Sequence, residues 1–105
     1  MFQAATKLTV VTEAFVTNDV CRIIEVCGGR GYTLVPVGGK VTHGLHSMQS
    51  KATVAEGFDN VKVETIIAAR TIIDEISHRI MTECLNDKPG IIYLEPVEVC
   101  RSERF

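Results

Sequence analysis

Aromatic side chains are scarce in this 105-residue chain, at 6%, and within its strand candidates Tyr32 and Tyr93 are the ones set among the sheet residues, with Phe58 at the very start of a strand. Charge of one sign is lacking too. Eleven Lys and Arg stand against thirteen Asp and Glu, a formal net charge of −2, with no like-charge run longer than two residues. Without a basic face or a row of aromatics, the chain is not built for a nucleic-acid partner. Long apolar runs are missing as well: Ile66–Ala69 is as long as any, far short of the roughly 20 residues that span a bilayer. The start MFQAATK has no apolar signal core, so a cytoplasmic protein with no direct membrane insertion is expected.

No Cys-x-x-Cys pair exists, and the spacing of Cys21, Cys27, Cys84 and Cys100 matches neither a metal-ligand pattern nor a disulfide framework. Cys27 and Cys84 fall at apolar helical positions, where a thiol acts as a small hydrophobe. Cys100, beside a charged tail, is the one candidate for redox chemistry. No serine or cysteine sits on a G-x-S-x-G elbow, so a nucleophilic triad has no support, and no enzymatic activity is expected. The loop pair His43 and His46, with Met48 nearby, has no third ligand at a recognisable offset and lacks helical geometry to aim both rings at one ion. Its ordinary role is that of solvent-exposed loop residues, and metal sensing through it is a minor alternative.

What is present is 46% hydrophobic and 23% charged residues, enough for one globular domain over residues 1–105 that buries roughly 65% of its extended surface. The first strand is expected over Lys7–Thr12. Thr17 and Asn18 offer caps for a helix from about Asp19, whose carboxylate suits the positive helix start. Val20, Ile23, Ile24 and Cys27 recur at i, i+3, i+4 and i+7, one apolar stripe, and Gly28-Gly29 stop it.

The second strand is read as Gly31–Val37, with Pro36 placing it at an edge or ending its pairing there. About twenty residues then follow without a 2.0 or a 3.6 apolar period, a loop long enough to suggest function. Phe58–Ile67 alternates Val61, Val63, Thr65 and Ile67 on one face with Lys62, Glu64 and Ile66 on the other. A second helix at about Ala69–Leu85 carries Ile72, Ile73, Ile76, Ile80 and Cys84 inward and Asp74, Glu75, Arg79 and Glu83 outward. After turn chemistry at Asn86–Gly90, a fourth strand starts at Ile91–Leu94 and is expected to be interrupted by Pro96 before Val97–Val99.

This order, β-α-β-β-α-β, implies an α+β, ferredoxin-like domain: a four-stranded antiparallel sheet with two helices on one face. Strands 1, 2 and 4 are apolar in both phases, so the uncovered face is expected to be greasy and to drive homo-oligomerisation. A dimeric α+β barrel enzyme on the same architecture is the alternative, although Thr65 and His78 make poor catalytic candidates. Anion binding has better support. Gly38-Gly39-Lys40 allows close backbone approach followed by an ammonium. Lys88-Pro89-Gly90 supplies a second Lys/Gly pair, and Arg101 and Arg104 add two guanidinium forks. These segments converge only if neighbouring subunits meet.

Lys7-Leu8 with Val11-Thr12-Glu13, Gly31-Tyr32-Thr33, Gly38-Gly39-Lys40, the long loop, and Asn86-Asp87 with Gly90-Ile91-Ile92-Tyr93 together resemble the PII-like signalling proteins. The likeness covers about residues 7–99 and is greatest to the branch associated with carboxysomes and bicarbonate uptake. It implies a homotrimer whose sheets face inward, with adenine nucleotides bound in inter-subunit clefts. It also implies a flexible T-loop, here about residues 38–57, that touches a protein target such as a bicarbonate transporter or a carboxysome-related protein. On this resemblance the nucleotide-binding residues are Thr33, Gly38, Gly39, Lys40, Lys88, Gly90, Arg101 and Arg104, the arginines reaching in from a neighbour's tail (100–105).

Three departures refine it. Gly90 is followed by Ile91 and not by lysine, which favours ADP or AMP over a triphosphate. The loop has no tyrosine to accept uridylylation. No glutamine stands beside Gly38-Gly39-Lys40 to hold magnesium and 2-oxoglutarate. The expected ligands are therefore ADP or AMP, with bicarbonate as a candidate second ligand and no prosthetic group.

Overall fold

The computed structural model describes residues 1–38 and 59–100. Its element order is β1 (Phe2–Glu13), a short 3-10 turn (Ala14–Val16), α1 (Thr17–Val26), β2 (Thr33–Val37), β3 (Asn60–Ile67), α2 (Arg70–Glu83) and β4 (Gly90–Cys100). The strands form one antiparallel sheet in the order β2-β3-β1-β4, the ferredoxin-like arrangement expected of this chain. Strand alternation sends Leu8, Val10, Val63 and Ile67 to one face. There they pack under Val20, Ile23 and Ile24 of α1 and Ile73, Ile76 and Ile80 of α2, in a single core cluster. Both helices therefore cover the same side. Each fully buried isoleucine is worth about 1.5–3 kcal/mol relative to exposure, so this layer supplies the driving force for the fold.

Helix α1 ends as its glycines predict. Gly28 takes φ +108°, its N–H bonds the Glu25 carbonyl, and the Gly29 N–H reaches the Ile24 carbonyl at 2.8 Å, a Schellman closure. Its start differs from expectation. The helix begins at Thr17, and Val16, at the end of the 3-10 turn, is the cap residue without a side-chain cap bond. The preceding turn already directs the chain into the helix, and the Thr17 hydroxyl is buried without a partner.

Two strands also differ. β1 begins at Phe2, five residues before the apolar alternation, because Phe2–Thr6 pair with Pro96–Cys100. β4 runs unbroken through Pro96, which lies opposite Thr6. β4 is an edge strand with β1 as its one neighbour, so a proline nitrogen turned to the open side costs no ladder bond. Pro36 likewise stands on an edge, in β2.

The face away from the helices is not simply greasy. Lys7 on β1 lies 3.6 Å from Glu64 on β3 and 3.2 Å from Glu95 on β4, and Lys62 also reaches Glu64 at 3.6 Å. This neutral ladder crosses three strands beside the apolar residues Val11, Val35, Ile91 and Tyr93. The sequence places Lys62 and Glu64 on this phase. What it cannot show is the register that brings Lys7 and Glu95 to them.

Candidate functional site

β2 pairs with β3 only from Thr33↔Glu64 to Val37↔Asn60, although β3 continues to Ile67. Over residues 28–32 the chain swings away from that strand and leaves a cavity of about 280 Å³ at its edge. Lys7, Arg30, Gly31, Tyr32, Thr33, Glu64, Thr65 and Ile66 line it. Among the described residues, the β3 peptide groups beyond Glu64 have no ladder partner on this side.

The cavity wall is fastened to β3. The buried Thr65 hydroxyl donates to the Gly31 carbonyl at 2.6 Å. The interaction of Tyr32 with the Cys21 thiol raises the tyrosine pKa above its ordinary value. Burial pushes the Cys21 thiol up, and the interaction with Tyr32 opposes that shift. Cys21 is thus a packed thiol, 6% exposed. The charge ladder closes the floor, where the hydrogen bond from Lys7 to Glu95 raises the lysine pKa, with help from Glu64 and against desolvation.

The second candidate segment precedes β4. Gly90 is confined: an added Cβ would lie 2.9 Å from Leu85 Cδ2 and 3.0 Å from the Val11 carbonyl oxygen. Pro89 is buried, and its carbonyl accepts a 2.9 Å bond from the buried Thr12 hydroxyl. Lys88 is half-exposed, its ammonium 3.6 Å from the Asp87 carboxylate.

The register fixes how these segments relate. Pro36, Val61, Thr12 and Gly90 lie in one row across the sheet. Gly38, just past β2, and Lys88, just before β4, therefore sit at the same end of the sheet but on opposite edges. Three strand spacings, about 14 Å, separate those edges. Cys100 lies opposite Phe2, so the chain enters its last five residues at the other end, about 34 Å along the strand from Gly90.

Of the expected site residues, Thr33 thus lines the cavity, Gly38 follows on the same edge, and Lys88 and Gly90 stand on the far edge. Gly39, Lys40, Arg101 and Arg104 lie outside the described residues, as do His43 and His46. Among the described residues no three His, Cys, Asp or Glu side chains could jointly hold a metal ion, and no helix is long and apolar enough to cross a membrane. Sequence reasoning missed Arg30. Its signal was a charged residue set in Gly28-Gly29-Arg30-Gly31, a glycine-rich exit from a helix directly before a strand.

The family model for nitrogen regulatory protein P-II matches residues 5–104. The chain belongs to the P-II family. Among solved structures, a candidate PII-like signalling protein from Thermus thermophilus is 22% identical with a TM-score of 0.71, covering 93% of this chain and 90% of that one. CPII, a nitrogen regulatory PII-like protein from Thiomonas intermedia, was solved with ADP, AMP and bicarbonate. It is 14% identical with a TM-score of 0.75, over 98% of this chain and 100% of CPII. CPII with ADP and bicarbonate alone gives 16% identity and the same TM-score, over 96% and 93%. At these identities the likeness is one of fold. The P-II family is one of regulatory signalling proteins.

Proposed function

We propose that this P-II family chain is a homotrimeric, cytoplasmic sensor that binds ADP or AMP in clefts between subunits, with bicarbonate as a second ligand. It would signal through residues 38–57 to a protein target in inorganic-carbon metabolism. One observation carries the reading: Thr33 and Gly38 occupy one sheet edge, while Lys88 and Gly90 occupy the other, about 14 Å away. A single copy cannot close these half-sites on one small ligand, whereas a neighbouring copy that presents its β4 edge to the β2 edge can.

The chemistry suits a nucleotide. A bare strand edge presents neighbouring N–H and C=O groups, the complement of the ring nitrogen and exocyclic amine of adenine, so the cavity beside Thr33 would take the base. Lys88 would meet the phosphates once released from Asp87, and Arg101 and Arg104 of another subunit would add forked donors. CPII, which shares the fold, binds ADP, AMP and bicarbonate, and this supports the same ligands here. A bicarbonate held near the phosphates would change nucleotide affinity, and the nucleotide would change bicarbonate affinity by the same factor.

Isothermal calorimetry tests the reading. AMP and ADP should give saturable heat, ATP should bind more weakly, and bicarbonate should shift the nucleotide affinity. No heat with any of the three nucleotides, with or without bicarbonate, sinks the proposal. The double change Arg101→Ala, Arg104→Ala should weaken nucleotide binding at least about tenfold, since charge-assisted bonds are worth about 1.5–3 kcal/mol each.

A further inference from the structure

We infer that Thr12 and Thr65 are positioning residues, each shaping one half of the split nucleotide site without touching the ligand. The inference rests on the nucleotide reading above and names what holds that site in register. Both are strand threonines on the helix-covered phase, at 0% and 2% exposure, yet neither directs its hydroxyl to a helix. Thr12 donates to the Pro89 carbonyl across 77 positions of sequence, and Thr65 to the Gly31 carbonyl across 34. Each acceptor belongs to a loop that carries a candidate ligand contact: Pro89 lies between Lys88 and Gly90, and Gly31 lies two residues before Thr33 in the cavity wall.

The effect on an anion is directional. A carbonyl oxygen facing the cleft would repel phosphate and would compete for Lys88. With the Pro89 carbonyl drawn inward onto β1, that loop offers an ammonium outward. A Cβ added at Gly90 would meet Leu85 and the Val11 carbonyl, so the loop lies close against β1 there. On the opposite edge, the Thr65 bond holds Gly31 against β3, where an unfastened 28–32 segment could close over the bare strand edge and fill the cavity. Other buried threonine hydroxyls, on Thr9 and Thr17, are left without a partner, whereas Thr12 and Thr65 each bond a loop carbonyl.

The test uses Thr12→Val and Thr65→Val, which keep shape and lose the donor, and Thr12→Ser and Thr65→Ser, which keep the donor. Two readouts are taken on the intact protein: amide hydrogen exchange without ligand, and calorimetric affinity for AMP and ADP. The valine variants should speed exchange locally, at Lys88, Gly90 and Ile91 for Thr12 and at Gly31, Tyr32 and Thr33 for Thr65. They should weaken nucleotide binding about three- to tenfold, the loss of one buried hydrogen bond, and the serine variants should restore both.

Unchanged affinity in the valine variants, or exchange that rises evenly through the core strands, overturns the inference, as does failure of serine to rescue. If the unaltered protein gives no heat with AMP or ADP, the nucleotide reading itself has failed. Local exchange then still separates a fastened loop from an idle threonine, and evenly raised or unchanged exchange overturns the positioning role on its own.

Discussion

The two faces of the sheet solve different problems. Under the helices, Leu8, Val10 and Val63 meet Ile23, Ile24, Ile76 and Ile80 at zero exposure, with no ionisable side chain among them. On the open face, Lys7, Lys62, Glu64 and Glu95 neutralise one another across three strands beside an apolar patch that includes Ile91, 55% exposed. The covered face supplies stability within one copy. The open face can meet either water or a second copy, because its charges are already paired and apolar residues flank the ladder on both sides: Val11, Val35 and Ile91 toward the end that holds Gly38 and Lys88, Ile66 and Val97 toward the other.

That contrast ranks the consequences of mutation. Ile76→Ala, at a fully buried position in the core cluster, should remove about 2–5 kcal/mol of stability, read as a lowered urea midpoint. Gly28→Ala, which forces a side chain to φ +108° where the covered layer turns out of α1, should cost about 1–3 kcal/mol by the same measurement. Ile91→Ala on the open face should move the fold's stability by no more than about 0.5 kcal/mol. It should nevertheless lower the concentration-dependent mass of the assembly, and an equal effect on the urea midpoint to that of Ile76→Ala would erase the distinction between the faces.

The smallest effect is in the ladder. Lys7 has its pKa raised in the folded chain, so its pairing contributes fully below its ordinary value of 10.5 and is lost as pH climbs through the higher folded value. Glu83, lowered by its hydrogen bond from Arg79, works in the opposite direction, losing its contribution as pH falls below 4.5. Thermal midpoints measured across pH should decline slightly at the alkaline end, where the raised Cys21, Tyr32 and Cys84 act in the same direction as Lys7, so Lys7→Met should lessen that limb without abolishing it and leave the acid limb in place.

The covered face was legible from sequence because the 3.6-residue spacing of Val20, Ile23, Ile24 and of Ile73, Ile76, Ile80 reports burial directly, and Gly28-Gly29 announces the helix stop. The alternation of Val61, Val63, Thr65 and Ile67 likewise named the inward phase of β3. What could not be read was register. Nothing local in FQAAT marks a strand, since those residues pair only because Pro96–Cys100 lie beside them. The meeting of Lys7 with Glu64 and Glu95, and of Thr12 with Pro89, spans most of the chain for the same reason. Thr33 was legible only as a candidate, and the cavity it lines exists because β2 stops pairing at Glu64, a property of two strands together.

Native mass spectrometry of the unaltered protein with ADP tests the central claim, that the nucleotide site is assembled from opposite edges of neighbouring copies. The expected particle holds three chains and carries up to three nucleotides, with no nucleotide on single chains. ADP retained by a lone chain, or a dimer as the ligand-bearing particle, would contradict it.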